Sequence, residues 1–141
     1  MRHKKNKKFI HTVGLLVIRD NKLLLAYSNH KNAWYLPGGK IEIGESPQQS
    51  LQREIWEELT LNIEVHKLKY YGHITAPAYG EIPTLLMEQD CYLYDLHESI
   101  SPNNEIGAVK FFDKASFEQE PAQVMGVLQI FDRLMADGLI V

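Results

Sequence analysis

Cysteine occurs once in this 141-residue chain, as Cys91, so no disulfide can form within it. It lies in MEQDCYLYDL, which reads as a strand, and a packed thiol is expected there rather than a nucleophile. Long apolar runs are missing too. Nothing approaches the roughly 18 residues of a membrane-spanning helix, and the start, MRHKKNKK then FIHTVGLLVIRD, returns to charge without a small-residue cleavage site. A soluble cytoplasmic protein without a membrane partner is predicted. No aromatic residue precedes Phe9, and the first eight residues hold five of the fifteen basic residues and no acidic one. Ten basic residues then face eighteen acidic ones over the remainder, which predicts a solvated basic tail at 1–8 and an acidic body at 9–141. Such a body has little general attraction for long nucleic acids, so no stable complex with them is expected. Internal repeats are absent, and a chain that is 45% hydrophobic suits one domain with its own core.

What is present is an alternation of apolar runs and turn signals. FIHTVGLLVI and KLLLAYS flank Asp20-Asn21, the pattern of two strands joined by a tight turn. NHKNAWYLPGGK follows, a polar loop and short strand ending at two glycines where the backbone can closely approach a ligand. EVHKLKYYGHITA, IPTLLMEQDCYLYDL and GAVKFFD read as further strands of a mixed sheet, with a turn at Pro77 to Gly80 and a loop at HESISPNNE. Near the end, Val124, Val127 or Leu128, Phe131, Leu134 and Met135 recur at helical spacing, with Pro121 permitted in a first turn and Gly138 a good terminator. Two helices on a mixed sheet make an α+β or α/β sandwich.

The helix after the glycines carries the chemistry. Ser46 suits an N-cap, Pro47 the first helical position, and Gln49 completes a capping box. Leu51, Ile55 and Leu59 form an apolar stripe, while Glu54, Glu57 and Glu58 share an arc of about 100 degrees beside it, at the rim of the core. A solvated acidic face is the plain alternative. Each like-charge pair at i,i+4 costs roughly 0.2–0.5 kcal/mol, however, and Arg53 alone cannot balance three carboxylates. Oxygen ligands so spaced suit a hard divalent cation, and Mg²⁺ is commonly held by carboxylates together with substrate phosphates. Glu45 adds a carboxylate at the mouth of the helix.

These residues resemble the signature of the Nudix hydrolase family. Gly39 and Glu45 open it, and Arg53, Glu54, Ile55, Trp56, Glu57, Glu58, Leu59, Thr60 and Leu61 close it, with Thr60 standing where the family has glycine. The preceding AWYLPGG also looks like the family's approach to its signature. The resemblance implies an α/β/α sandwich with a central mixed sheet, whose loop-helix-loop binds Mg²⁺, or Mn²⁺ as a substitute, and cleaves a phosphoanhydride. By the same resemblance Glu54, Glu57, Glu58 and the Gly38 carbonyl are the metal ligands, Glu45 steadies the loop, and Arg53 orients the carboxylates. Glu54 or Glu57 is the expected base, and Glu105 a further candidate for metal or base chemistry. Thr60 is expected to change the exit turn of the helix without removing a ligand.

The partner so implied is a small nucleotide, bound by a monomer or homodimer. (d)NTPs cleaved to monophosphate and pyrophosphate lead, and ADP-ribose, nucleotide sugars and dinucleoside polyphosphates follow. A nucleotide-sensing domain with little turnover is the rival class. Tyr27, Trp34 and Tyr35 lie near the glycine turn and are candidates to stack on a base, with core packing as the alternative for each. Pro77 and Tyr79 fit two competing substrate rules of the family at once and discriminate nothing.

Overall fold

The computed structural model describes residues 8–82 and 84–141. The basic tail therefore lies outside the described residues except for Lys8, which opens a strand instead of closing a tail. That strand, β1 (Lys8–Leu16), is followed by β2 (Ile18–Arg19), β3 (Lys22–Ser28), β4 (Ala33–Tyr35) and β5 (Gly38–Lys40). Helix α1 (Pro47–Leu59), a 3-10 turn at Val65–Lys67, β6 (Lys69–Pro77) and β7 (Leu85–Leu93) come next. The chain finishes with β8 (Ile106–Phe112), α2 (Lys114–Glu118) and α3 (Met125–Ala136).

The strands divide between two sheets. One is mixed, in the order β5-β1-β7-β6, with β1 parallel to β7 from Lys8↔Leu85 to Leu16↔Leu93. The other is antiparallel, with β3 paired to β2, β4 and β8. The tight turn predicted at Asp20-Asn21 is there, both residues having positive φ, but the strand it joins to β3 is the two-residue β2. β1 pairs with β5 and β7 instead.

Alternation along the strands builds two cores, one on each side. Val13, Leu15 and Val17 join Leu51, Ile55 and Leu59 of α1, whereas Leu16, Leu23 and Leu25 join Val127, Ile130, Phe131 and Leu134 of α3. Helices thus cover both faces, giving an α/β/α sandwich. Cys91 is fully buried, and burial pushes its thiol up to about 12, as a packed rather than reactive group requires.

The carboxyl-terminal helix is shorter than its apolar pattern predicts. Pro121 precedes it, Val124 is its N-cap, and Met135 is 41% exposed instead of belonging to the stripe. Gly138, at φ 74°, follows the helix as expected. The five-residue α2, started by an Asp113–Ser116 capping box, is too short to leave a periodicity.

Candidate active site

Helix α1 begins as the sequence predicts. Ser46 Oγ accepts from the Gln49 N–H at 3.1 Å, and the Gln49 side chain returns the bond to the Ser46 N–H at 2.9 Å. Behind it the two glycines of β5 are required for different reasons. Gly38 has φ 147°, and a Cβ there would lie 2.0 Å from the Val13 carbonyl oxygen. At Gly39 the conflict is with a side chain, because a Cβ would lie 2.0 Å from Glu54 Oε2. Glu54 therefore occupies the space that the missing Cβ leaves.

The three helix glutamates differ in environment. Glu58 is only 9% exposed and accepts a hydrogen bond from the Gly38 N–H at 3.1 Å, so it lies inside the core and not at its rim. The Glu54 side chain is 17% exposed and that of Glu57 44%. Burial pushes Glu58 up to about 8 against the pull of the Gly38 N–H, with Glu54, Glu105 and Glu57 adding repulsion. Glu54 is pushed up to about 7, again chiefly by burial, with Arg53 opposing and Glu57 and Glu105 assisting. Loss of hydration that favours a proton on these carboxylates also favours a cation that can offset its own dehydration there.

Arg53 and Glu45 form the rigid part. The guanidinium Nε and Nη2 donate to the Glu45 carboxylate at 2.9 and 3.0 Å, Ser50 Oγ donates to it at 2.7 Å, and Nη2 also reaches the Lys40 carbonyl at 3.2 Å. These bonds, the Arg53 pair foremost, hold Glu45 down at about 2 and keep Arg53 firmly protonated. Arg53 Nη1 also lies 3.6 Å from Glu54 and 3.5 Å from Glu57. With the side chains so placed, no three acidic, histidine or cysteine groups among the described residues converge on a ready-made ion site.

Residues distant in sequence complete the site. The 101–104 segment caps the carboxyl end of α1: the Ser101 and Asn103 N–H groups donate to the Leu59 and Glu58 carbonyls, and Asn104 Nδ2 donates to that of Glu57. Glu105 comes next, and with Gly38, Gly39, Lys40 and Glu58 it lines a cavity of about 470 Å³. Tyr35 also lines it, whereas Tyr27 and Trp34 do not. Those two pack edge to face at 5.2 Å, Trp34 lies 4.9 Å from Phe112, and its Nε1 donates to Glu120, so both pack against neighbours outside this lining. Gln89, Lys31 and Glu81 belong to the lining and were not predicted, and Tyr79, which fits a substrate rule without discriminating, lines it too. For Gln89 the available signal is a polar residue on an otherwise apolar face of its strand, between Met87 and Cys91.

The family model for the NUDIX domain matches residues 8–133. The chain belongs to the NUDIX family. A MutT-like protein of Streptomyces ambofaciens is 36% identical over 59 residues, 42% of this chain and 38% of that protein. The CTP pyrophosphohydrolase of Escherichia coli (strain K12) is 40% identical over 62 residues, 41% of this chain and 46% of that one. The Nudix chain thus spans less than half the length of these curated relatives. The crystal structure of the MutT protein from Methanosarcina mazei Go1 shares the fold at a TM-score of 0.76, over 96% of this chain and 99% of that one, with 17% sequence identity. No described helix is long and apolar enough to cross a membrane.

Proposed function

We propose that this Nudix protein is a Mg²⁺-dependent hydrolase of phosphoanhydride bonds in nucleoside diphosphate-linked compounds, and that it takes nucleoside and deoxynucleoside triphosphates to monophosphate and pyrophosphate. One observation carries the reading: Glu54 and Glu58 are buried in mutual repulsion beside Glu57 and Glu105, where a cavity opens next to a turn pinned by Arg53 and Glu45. At about 470 Å³ the cavity lies toward the small end of small-molecule pockets, roughly 300–1,000 Å³, which favours one nucleoside over the two of a dinucleoside polyphosphate.

The donor set is all oxygen, which fits Mg²⁺ and admits Mn²⁺. Glu54, Glu57, Glu58 and the Gly38 carbonyl would hold the ion, with Glu105 as a further ligand, and the ion would neutralise phosphate charge and acidify water. The protein's own groups do the rest. Glu58, tied to the Gly38 N–H, keeps β5 against α1. Glu45 fixes the guanidinium of Arg53, which restrains Glu54 and Glu57. Either of those two accepts the proton of the attacking water.

The test is a panel of triphosphates, ADP-ribose, nucleotide sugars and dinucleoside polyphosphates with Mg²⁺, read as phosphate release in the presence of pyrophosphatase. Turnover of triphosphates is expected, and none anywhere on the panel would reject an enzyme. Glu57→Gln should fold and lose at least roughly a hundredfold in turnover; activity within twofold of the parent would remove Glu57 from the ligand set.

A further inference from the structure

We propose that Tyr35 and Gln89 read the polar edge of the nucleobase and so determine which nucleotide the site accepts, an inference that rests on the nucleotide-hydrolase reading above. They come from different sheets, Tyr35 from β4 and Gln89 from β7, and both line the cavity that Glu58 and Glu105 also line. Both residues thus belong to the walls of one chamber.

The Tyr35 hydroxyl is buried without a hydrogen-bond partner among the described residues. Natural proteins pair nearly all such groups, because an unpaired buried donor loses its water for nothing. Its surroundings are held closed: Lys31 Nζ binds the Tyr79 carbonyl at 3.2 Å and the Glu81 carboxylate, which keeps the Tyr79 ring edge-on to Tyr35 at 6.3 Å. Burial, with Tyr79 and Glu81 nearby, pushes the phenol up to about 12, so it remains a donor at neutral pH. The hydroxyl is itself shielded from water, so it gains a partner when a base enters the cavity and the Tyr35 ring turns to meet it.

Gln89 is 8% exposed. Among the described residues its amide meets only the Cys91 thiol, 4.0 Å from Oε1 and a weak donor. Gly14 makes room for it, since a Cβ there would lie 3.1 Å from both Gln89 Cδ and Nε2. A primary amide places a donor beside an acceptor, and the edge of a nucleobase does the same. Apolar neighbours Ala26, Leu36, Leu85 and Met87 suit the faces of a planar ring. Sites that pair a substrate's polar groups discriminate strongly, because the wrong partner leaves buried groups unsatisfied.

Tyr35→Phe and Gln89→Met remove the polar atoms and keep the volume. The full-length variants are assayed with Mg²⁺ on the common nucleoside triphosphates and on ribose 5-triphosphate, which has no base. In parallel, binding of nucleoside monophosphates is measured by calorimetry without added metal. Each variant should lose at least about tenfold in kcat/KM for the parent's preferred nucleotide relative to ribose 5-triphosphate, and should flatten the order of preference. Tyr35→Phe should also melt no lower than the parent, because the hydroxyl it removes is unpaired. An unchanged order of preference, an equal loss on ribose 5-triphosphate, or a lower melting temperature of Tyr35→Phe would overturn the proposal. Should the parent hydrolyse nothing, the hydrolase reading fails and the calorimetry still decides. Monophosphate binding at least about tenfold weaker in both variants supports edge reading, whereas unchanged binding, or none by the parent, refutes it.

Discussion

Thr60 sits at φ 56° and ψ 37°, the left-handed conformation that a glycine adopts without penalty, and its N–H still donates to the Trp56 carbonyl. The altered exit turn expected from a β-branched residue does not occur. The threonine is retained in the glycine conformation, and its Oγ1 donates to the Ser101 carbonyl at 3.2 Å, in the segment that caps the helix. Left-handed backbone costs an L-residue roughly 1–2 kcal/mol, and one hydrogen bond offsets about 1 kcal/mol of that. Thr60→Gly should accordingly change unfolding free energy by less than about 1 kcal/mol, in either direction, when followed by urea titration. A loss beyond that would show the Ser101 contact to be worth more than the strain.

At the scale of the element, α1 and β5 act as one unit because each supplies what the other excludes. Gly39→Ala places a methyl where Glu54 Oε2 lies, but a carboxylate at the end of a flexible chain can swing away. Stability should change by less than about 1 kcal/mol while turnover falls at least tenfold, measured by denaturation and phosphate release. Gly38→Ala meets the Val13 backbone and a φ of 147°, neither of which can yield, and should cost more than about 3 kcal/mol. Equal effects from the two would mean that Glu54 is not seated against β5. The start of α1 was legible in the sequence because a capping box is a local bond between residues three apart. The delivery of Glu105 was not, since the hydrogen bonds that place it join 101–104 to the far end of a helix some forty residues earlier.

Across the whole molecule, stability should carry a pH signature of the site. Glu54 and Glu58 are raised from an ordinary 4.5 to about 7 and about 8, so between pH 4.5 and 8 the metal-free folded protein binds more protons than the unfolded chain. The stability linked to these two is complete below about pH 4.5 and is lost as pH rises toward 8. His73, raised by its bond to Asp90, acts in the same direction: its contribution is full below 6.5 and is lost above that as pH passes its raised value. Glu45 acts oppositely. Held down at about 2, it contributes fully above about pH 4.5 and its contribution is lost as pH falls toward 2. In chelator the melting temperature should peak near pH 4.5 to 5 and decline to pH 8, and Mg²⁺ added at pH 8 should recover part of the loss. A profile flat from pH 5 to 8 in chelator would show that the two carboxyls are not held in a desolvated state.

By itself the sequence determined the local features: the capped helix, the apolar stripe beside three glutamates, the tight turn at Asp20-Asn21 and the packed thiol. Each rests on residues within a few positions of one another, where periodicity and hydrogen-bond chemistry suffice. Only the tertiary structure decided which sheet each strand joins, that Glu58 is buried while Glu57 is half exposed, and that Tyr35 faces a cavity while Trp34 packs against Phe112. The physical reason is that alternation along a strand states that two faces differ, whereas what lies against each face depends on segments brought together from across the chain. Gln89, beside Gly14 and across the cavity wall from β4, acquires its meaning in that way.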